Sequence, residues 1–317
     1  MPMPLIPVQE AAHLRSLASL QASVRWLRRA TCTAAFFSVV AGCGSGGGGA
    51  TSTPSTPPVP PPPAAPAPPA PAPNAQASAG CGSAAKFTTG TQSLTSDGVQ
   101  RTYWVEMPAN YDPNKTYPVI IGLHWRDGSA DDVRGWSGFY GLKNEYGSNA
   151  IFLAPQGLDA GWANTGDRDI RFMRSMISQV QQGACTDTQR VFATGFSFGG
   201  MMSNAIGCQM GDVVRAIVPM AGSLWSGCAP SEHRVAALFI HAQDDNTVPY
   251  TAGEEARNTF TTRNACSATT VPIGSNGCVE YQGCSAGKPV VWCGTPTGGH
   301  WYPSFSAKET KTFFDRF

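Results

Sequence analysis

Gly195-Phe196-Ser197-Phe198-Gly199 sets a serine between two glycines, each two residues away. The apolar run 190–194 leads into it, and residues 200–206 read as a helix. Strand, sharp turn and helix form the setting in which this spacing does chemistry. The turn strains the serine backbone, and the glycines let strand and helix pass closely. The serine oxygen then stands at a helix N-terminus, where the Phe198 N–H and the helix dipole favour a developing oxyanion. A serine hydroxyl is a poor nucleophile near neutral pH and needs a base beside it. The chain has five histidines. His13 falls in the N-terminal leader, His124 ends an apolar run, His233 sits in a polar loop, and His241 ends another apolar run as a buried, satisfied histidine would. His300, in Thr297-Gly298-Gly299-His300-Trp301, follows the last apolar run on a glycine loop able to carry an imidazole back to the serine. It is the expected base. The imidazolium needs an acid to orient it. Asp244 or Asp245, which follow the run 235–241, supply one, and composition does not separate the two.

These residues need elements that bring them together. Residues 101–107 alternate like a strand, and 118–124, 150–155, 190–194, 213–220, 235–241 and 288–293 are apolar runs expected of buried strands. Between them, residues 169–182 carry a helical stripe of Ile170, Met173, Ile177 and Val180, with Asp169 in the first turn. Residues 307–317 read as a closing helix. Strands alternating with helices imply an α/β fold, a mainly parallel sheet covered by helices on both faces. In such sheets the site lies at the carboxyl ends of the strands. Ser197, His124-Trp125, Asp244-Asp245 and His300 all fall there. The chain order serine, acid, histidine is that of the α/β-hydrolase fold. No long helical insertion separates the run 235–241 from Asp245, so no large lid is expected at that point.

The 317 residues divide into three stretches. Residues 1–43 read as an export signal, with Arg25, Arg28 and Arg29 before a short apolar segment at 34–41. Val40-Ala41-Gly42-Cys43 resembles the bacterial lipobox, which makes Cys43 the expected lipidation site and the lipid the chain's expected link to a membrane. Residues 44–77 are a Gly-, Pro- and Ala-rich tether that buries no core. Residues 78–317 are one catalytic domain in size. A net charge of +1 gives no reason to expect nucleic acid as a partner. Beyond Cys32 and Cys43, Cys81, Cys185, Cys208, Cys228, Cys266, Cys278, Cys284 and Cys293 form an even set, which in an exported chain implies disulfides. Eight cysteines allow about 105 pairings, so spacing assigns none. There is no C-x-x-C pair and the histidines are scattered, so no metal or cofactor is expected.

Several separate motifs occur in one order. His241-Ala242-Gln243-Asp244-Asp245-Asn246-Thr247-Val248-Pro249-Tyr250 resembles the H-G-x-x-D-x-x-V-P-Y segment of secreted feruloyl esterases and related polyhydroxybutyrate depolymerase-like esterases. Residues 194–202 are similar to the nucleophile segment of that family. Gly277-Cys278, Gly283-Cys284, Val291-Trp292-Cys293 and Gly298-Gly299-His300-Trp301 resemble its C-terminal region. The resemblance covers residues 86–317 and implies a Ser197–His300–Asp245 triad, Asp245 being selected by its place in the segment. It also implies a carboxylic ester hydrolase that forms an acyl-enzyme with hydroxycinnamate esters of plant cell-wall polysaccharide. Polyhydroxybutyrate-type or acetylxylan esters are the alternative substrates, and a silent hydrolase fold used for binding is the reading from another class. The family usually carries His-Gly where this chain has His124-Trp125, and a backbone N–H there completes the oxyanion hole. Trp125 and Phe198 are therefore the expected donors. A planar aromatic acid needs stacking faces. Trp125, Trp136, Trp162, Trp225, Trp301 and Tyr302 lie near strand ends, and Trp162 and Trp301, in glycine-flanked loops, are the expected substrate contacts.

Overall fold

The structure is a computed structural model that describes residues 75–317. The expected leader, with its lipidation site Cys43, and most of the tether lie outside the described residues. Gln76 and Ala77, assigned to the tether by sequence, already join the fold: the Gln76 N–H donates to Asp187 Oδ1 at 3.1 Å and Ala77 bridges Asp187.

Among the described residues, ten strands form one sheet. They are β1 (Gly90–Ser96), β2 (Val99–Glu106), β3 (Tyr117–Leu123), β4 (Ile151–Pro155), β5 (Thr186–Phe196), β6 (Ala216–Met220), β7 (Ala236–Ala242), β8 (Thr270–Ile273), β9 (Cys278–Tyr281) and β10 (Val290–Thr295). The spatial order is β1-β2-β4-β3-β5-β6-β7-β10-β9-β8. From β4 through β10 every neighbouring pair is parallel, and the antiparallel pairs β1–β2 and β9–β8 flank this centre. The helices are α1 (Leu142–Tyr146), α2 (Arg168–Gly183), α3 (Phe198–Gln209), α4 (Tyr250–Arg263) and α5 (Ser306–Phe314). This is the mainly parallel α/β architecture that the strand–helix alternation implies, and it is the α/β-hydrolase fold expected from the chain order of serine, acid and histidine.

The central strands are apolar because they are covered twice. All seven residues of β3 are buried. Val119, Ile121 and Leu123 face a core shared with Met173, Met176, Ile177 and Val180 of α2 and Ile206 of α3. Ile120 faces the opposite core, with Tyr146 of α1 and Phe313 and Phe314 of α5. The α2 stripe lies where its period puts it. The start of α2 is held by Asn164, whose Oδ1 accepts the Asp169 and Ile170 N–H groups at 3.0 and 3.2 Å. Asp169 does more than complement the helix dipole. Its side chain is fully buried and pairs with Arg101 of β2 at 2.8 Å.

Strands β1, β8 and β9 and helices α1 and α4 have no counterpart in the sequence expectation. With five residues, α1 is too short to show a period. For the others, their outward surface is the reason. β8 buries none of its four residues, and only Gly253, Ala256 and Phe260 of α4 are buried, so neither has a clear apolar period.

All eight expected cysteines are paired, as Cys81–Cys185, Cys208–Cys228, Cys266–Cys284 and Cys278–Cys293. The first fastens the N-terminal segment to the start of β5. The second joins the end of α3 to the loop after β6. Cys266–Cys284 encloses the β8–β9 hairpin, and Cys278–Cys293 ties it to β10, the two cysteines facing each other directly across β9 and β10. Only residues 243–249 separate β7 from α4, so no lid is inserted there.

Candidate active site

Ser197 sits between β5 and α3 with φ +57° and ψ −119°, a conformation side chains rarely adopt and one that costs about 1–3 kcal/mol. The surroundings hold it there. Its N–H donates to the Met220 carbonyl at 2.9 Å, and its own carbonyl accepts the Met201 N–H at 2.9 Å as α3 begins. A Cβ on Gly195 would lie 2.6 Å from the Gly199 carbonyl oxygen, and one on Gly199 would lie 2.8 Å from that of His124. Both glycines are thus required by close backbone approach.

His300 Nε2 lies 2.8 Å from Ser197 Oγ, and His300 Nδ1 lies 2.8 Å from Asp245 Oδ2. A carboxylate only accepts, so Nδ1 carries the proton and Nε2 offers its lone pair to the serine hydroxyl. The other Asp245 oxygen accepts the Thr247 and Val248 N–H groups, each at 2.9 Å. Burial pushes the Asp245 carboxyl up, but hydrogen bonds from His300, Val248 and Thr247 outweigh it and hold its pKa below the usual carboxylate value. The two adjacent acids are distinct in space. Asp244 is exposed, and its carboxylate accepts the Gly299 N–H at 2.7 Å, bracing the loop that carries His300.

His241 is buried, as expected. Its Nε2–H donates to the Val248 carbonyl at 2.9 Å, with Asp245 Oδ2 3.3 Å away. Its ring lies against the bare backbone of Gly253, where a Cβ would come within 2.9 Å of Cε1. Burial holds its pKa below the ordinary histidine value.

The end of β3 faces this group. Phe198 opens α3, so its N–H is one of the helix's unshared donors. Trp125 follows His124, and three consecutive carbonyls here accept from aromatic side chains. Leu123 O accepts the Tyr140 hydroxyl at 2.6 Å, His124 O accepts Trp162 Nε1–H at 2.8 Å, and Trp125 O lies 2.7 Å from His124 Nδ1. His124 Nε2 accepts the Gly157 N–H at 3.0 Å, so Nδ1 is the protonated nitrogen and donates to Trp125 O. Burial holds the His124 pKa down, in keeping with a neutral ring.

The two tryptophans expected to touch substrate part company. Trp162 is 0% exposed and presents no stacking face, so the expectation of substrate contact fails for it in this structure. A glycine-flanked loop says nothing about which way its ring turns. Trp301 is 49% exposed, stacks on Tyr302 with centroids 5.1 Å apart, and meets Phe196 edge-on at 5.5 Å. Trp136, 63% exposed, stands edge-on between Trp301 and Trp125 at 5.7 and 5.6 Å. An open aromatic wall therefore runs from Trp125 through Trp136 to Trp301 and Tyr302. Phe196 joins it to His300, with ring centroids 4.9 Å apart.

The probable feruloyl esterase C of Aspergillus terreus is 38% identical over 231 residues, 70% of this chain and 83% of the relative. The chain belongs to the feruloyl esterase family. It is a carboxylic ester hydrolase. Feruloyl esterase D of Neurospora crassa is 35% identical over 267 residues, covering 77% of this chain and 91% of the relative. No protein-family model matches the sequence. Among solved structures, an acetyl xylan esterase from Aspergillus awamori superposes with a TM-score of 0.55 at 13% identity, over 72% of this chain and 99% of its own. A ferulic acid esterase from Anaeromyces mucronatus in complex with ferulic acid superposes with a TM-score of 0.53 at 16% identity, over 72% and 89%. At such identities these two establish the shared fold.

Sequence reasoning missed the bracing by Asp244, the clamp formed by Tyr140, His124 and Trp162, and the buried Arg101–Asp169 pair behind it. Only Asp244 left a usable signal, as one of two acids at a strand end. The others depend on which way a side chain turns and, for Trp162 and Arg101, on partners 38 and 68 residues away, with no local pattern to announce them.

Proposed function

We propose that this family member hydrolyses hydroxycinnamate esters of plant cell-wall polysaccharide with Ser197 as nucleophile, His300 as base and Asp245 as its orienting acid. The relay from Ser197 Oγ to His300 Nε2 and from His300 Nδ1 to Asp245, 2.8 Å at each step, carries this reading. Ser197 Oγ attacks the ester carbonyl as its proton passes to His300. The carbonyl oxygen, now anionic, is met by the N–H groups of Phe198 and Trp125. His300 returns the proton to the departing sugar hydroxyl, leaving a feruloyl ester on Ser197. A water then repeats the sequence with His300 as base and releases the acid. Asp245 stays ionised throughout, which its depressed pKa supports.

The aromatic wall supports an aromatic acyl group. Trp301, with Tyr302 stacked behind it and Trp136 beside it, offers apolar faces next to His300 without enclosing the site. An open wall suits an ester borne on a polymer. The named activities of the relatives agree with this substrate class.

Hydrolysis of methyl ferulate, methyl sinapate and p-nitrophenyl butyrate by the wild type and Ser197→Ala tests the reading. Hydroxycinnamate turnover that falls by about 10⁴-fold or more in the variant is expected. Turnover of the butyrate alone would keep the triad and move the substrate to short acyl esters, the polyhydroxybutyrate or acetylxylan alternative.

A further inference from the structure

We infer that buried Trp162 is a positioning residue for the oxyanion hole: its indole N–H fixes the His124–Trp125 peptide so that the Trp125 N–H faces the reacting carbonyl. This rests on the proposed Ser197 chemistry and adds to it a residue that never touches substrate. The peptide is trans, so the His124 C=O and the Trp125 N–H point in opposite directions from one plane. Trp162 Nε1 holds the carbonyl at 2.8 Å from inside the core. The N–H is thereby turned outward, away from Trp162.

The two flanking peptides are held by other groups, which leaves the His124–Trp125 peptide itself to Trp162. Ahead of it, the Tyr140 hydroxyl holds Leu123 O at 2.6 Å; beyond it, His124 Nδ1–H and the Gly128 N–H hold Trp125 O at 2.7 and 3.1 Å. Trp162 is itself fixed. Its ring lies against His124 with centroids 4.7 Å apart, and its carbonyl accepts the Ser226 hydroxyl at 2.8 Å. The clamp takes on its particular use at position 125. A tryptophan there, with its ring engaged by Trp136 and Phe196, gives the backbone a side chain whose packing could turn the N–H elsewhere. The Trp162 hydrogen bond sets the direction independently of where that ring packs.

The test separates a misdirected donor from a damaged fold. Trp162→Phe removes the N–H and much of the ring. Replacement of Trp162 by 3-benzothienylalanine removes only the N–H and keeps the shape, so it serves where the phenylalanine variant does not fold. Styrylboronic acid is the probe of the hole: Ser197 Oγ bonds to boron as its proton passes to His300, giving a tetrahedral anion. Ferulate, the flat product, is the probe of the aromatic wall. In both variants kcat for methyl ferulate and affinity for the boronate fall together by about 10- to 100-fold, while KM and ferulate affinity hold within about two-fold. Ile177→Val, in the core shared by α2, moves none of these readings beyond about two-fold.

The inference is overturned if both variants keep kcat and boronate affinity within about two-fold, or if ferulate and boronate affinity fall equally, as in a collapsed site. A fully active Ser197→Ala would instead remove the nucleophile reading on which it stands. An inactive Ser197→Ala beside fully active Trp162 variants removes the positioning role alone.

Discussion

At the ends of β3 and β5 the backbone is held from inside the core, whereas the loop carrying His300 leaves β10 through two glycines at positive φ and rests on two carboxylates. On the first side, side chains with almost no exposure fasten successive carbonyls, and a buried network stands behind them. Arg101 holds Asp169, Asp169 accepts the Asn164 N–H at 3.0 Å, and Asn164 Nδ2 donates to the Ser226 carbonyl at 3.0 Å, next to the hydroxyl that grips Trp162. On the second side, Gly298 and Gly299 have φ of +147° and +61°, and the direct supports are Asp244 on Gly299 and Asp245 on His300. Behind that loop the chain is fastened covalently, with Cys278–Cys293 joining β9 to the strand from which the loop departs. The difference follows from the work proposed for each side. Fixed donors for an oxyanion must not reorganise during the reaction, while an imidazole that passes protons in two directions needs only its tautomer and its reach defined.

Breaking the buried network has the largest expected effect. Arg101→Ala leaves the Asp169 carboxylate buried without its partner, and a loss of about 3–5 kcal/mol is expected, read as a fall in the denaturant midpoint. A loss below about 1 kcal/mol would mean that water or Arg168, 3.8 Å from Asp169, takes over the pairing and that the network does not brace the first side. The covalent support of the second side comes next. Cys278→Ser with Cys293→Ser opens a cross-link spanning 15 residues and is expected to cost about 3 kcal/mol. Hydrogen exchange should quicken across residues 270–300 and stay unchanged in β3 and α2; faster exchange in β3 as well would erase the contrast. The smallest effect belongs to Asp244→Ala. The Gly299 N–H is exposed enough to be resolvated, so stability changes by no more than about 1 kcal/mol, while kcat for methyl ferulate drops several-fold as the His300 loop loosens. An unchanged kcat would show that Asp245 alone suffices to place the imidazole.

The same contrast governs how far the sequence alone reaches. The turn carrying Ser197, the proposed nucleophile, was legible because it is framed by a strand, two glycines and a helix that are all local. The parallel strands were legible because burial on both faces makes them continuous apolar runs. Asp245 was separable from Asp244 only through resemblance to a family segment, since two adjacent acids have the same composition and differ only in direction. The cysteines announced disulfides but not their partners, which β9–β10 register and loop placement decide. Trp162 was legible as a tryptophan near a strand end, yet its burial depends on Ser226 and His124, 64 and 38 residues away. The edge hairpin and α4 escaped because they bury one side thinly and carry little apolar period.

The central claim is that Ser197 accepts the acyl group. Wild-type enzyme mixed with methyl ferulate and quenched in acid within the first turnovers, then digested and weighed, tests it directly. A feruloyl increment on the peptide carrying Ser197, absent from Ser197→Ala, is the predicted result. Steady turnover with no increment there, or an increment on another residue, would contradict it.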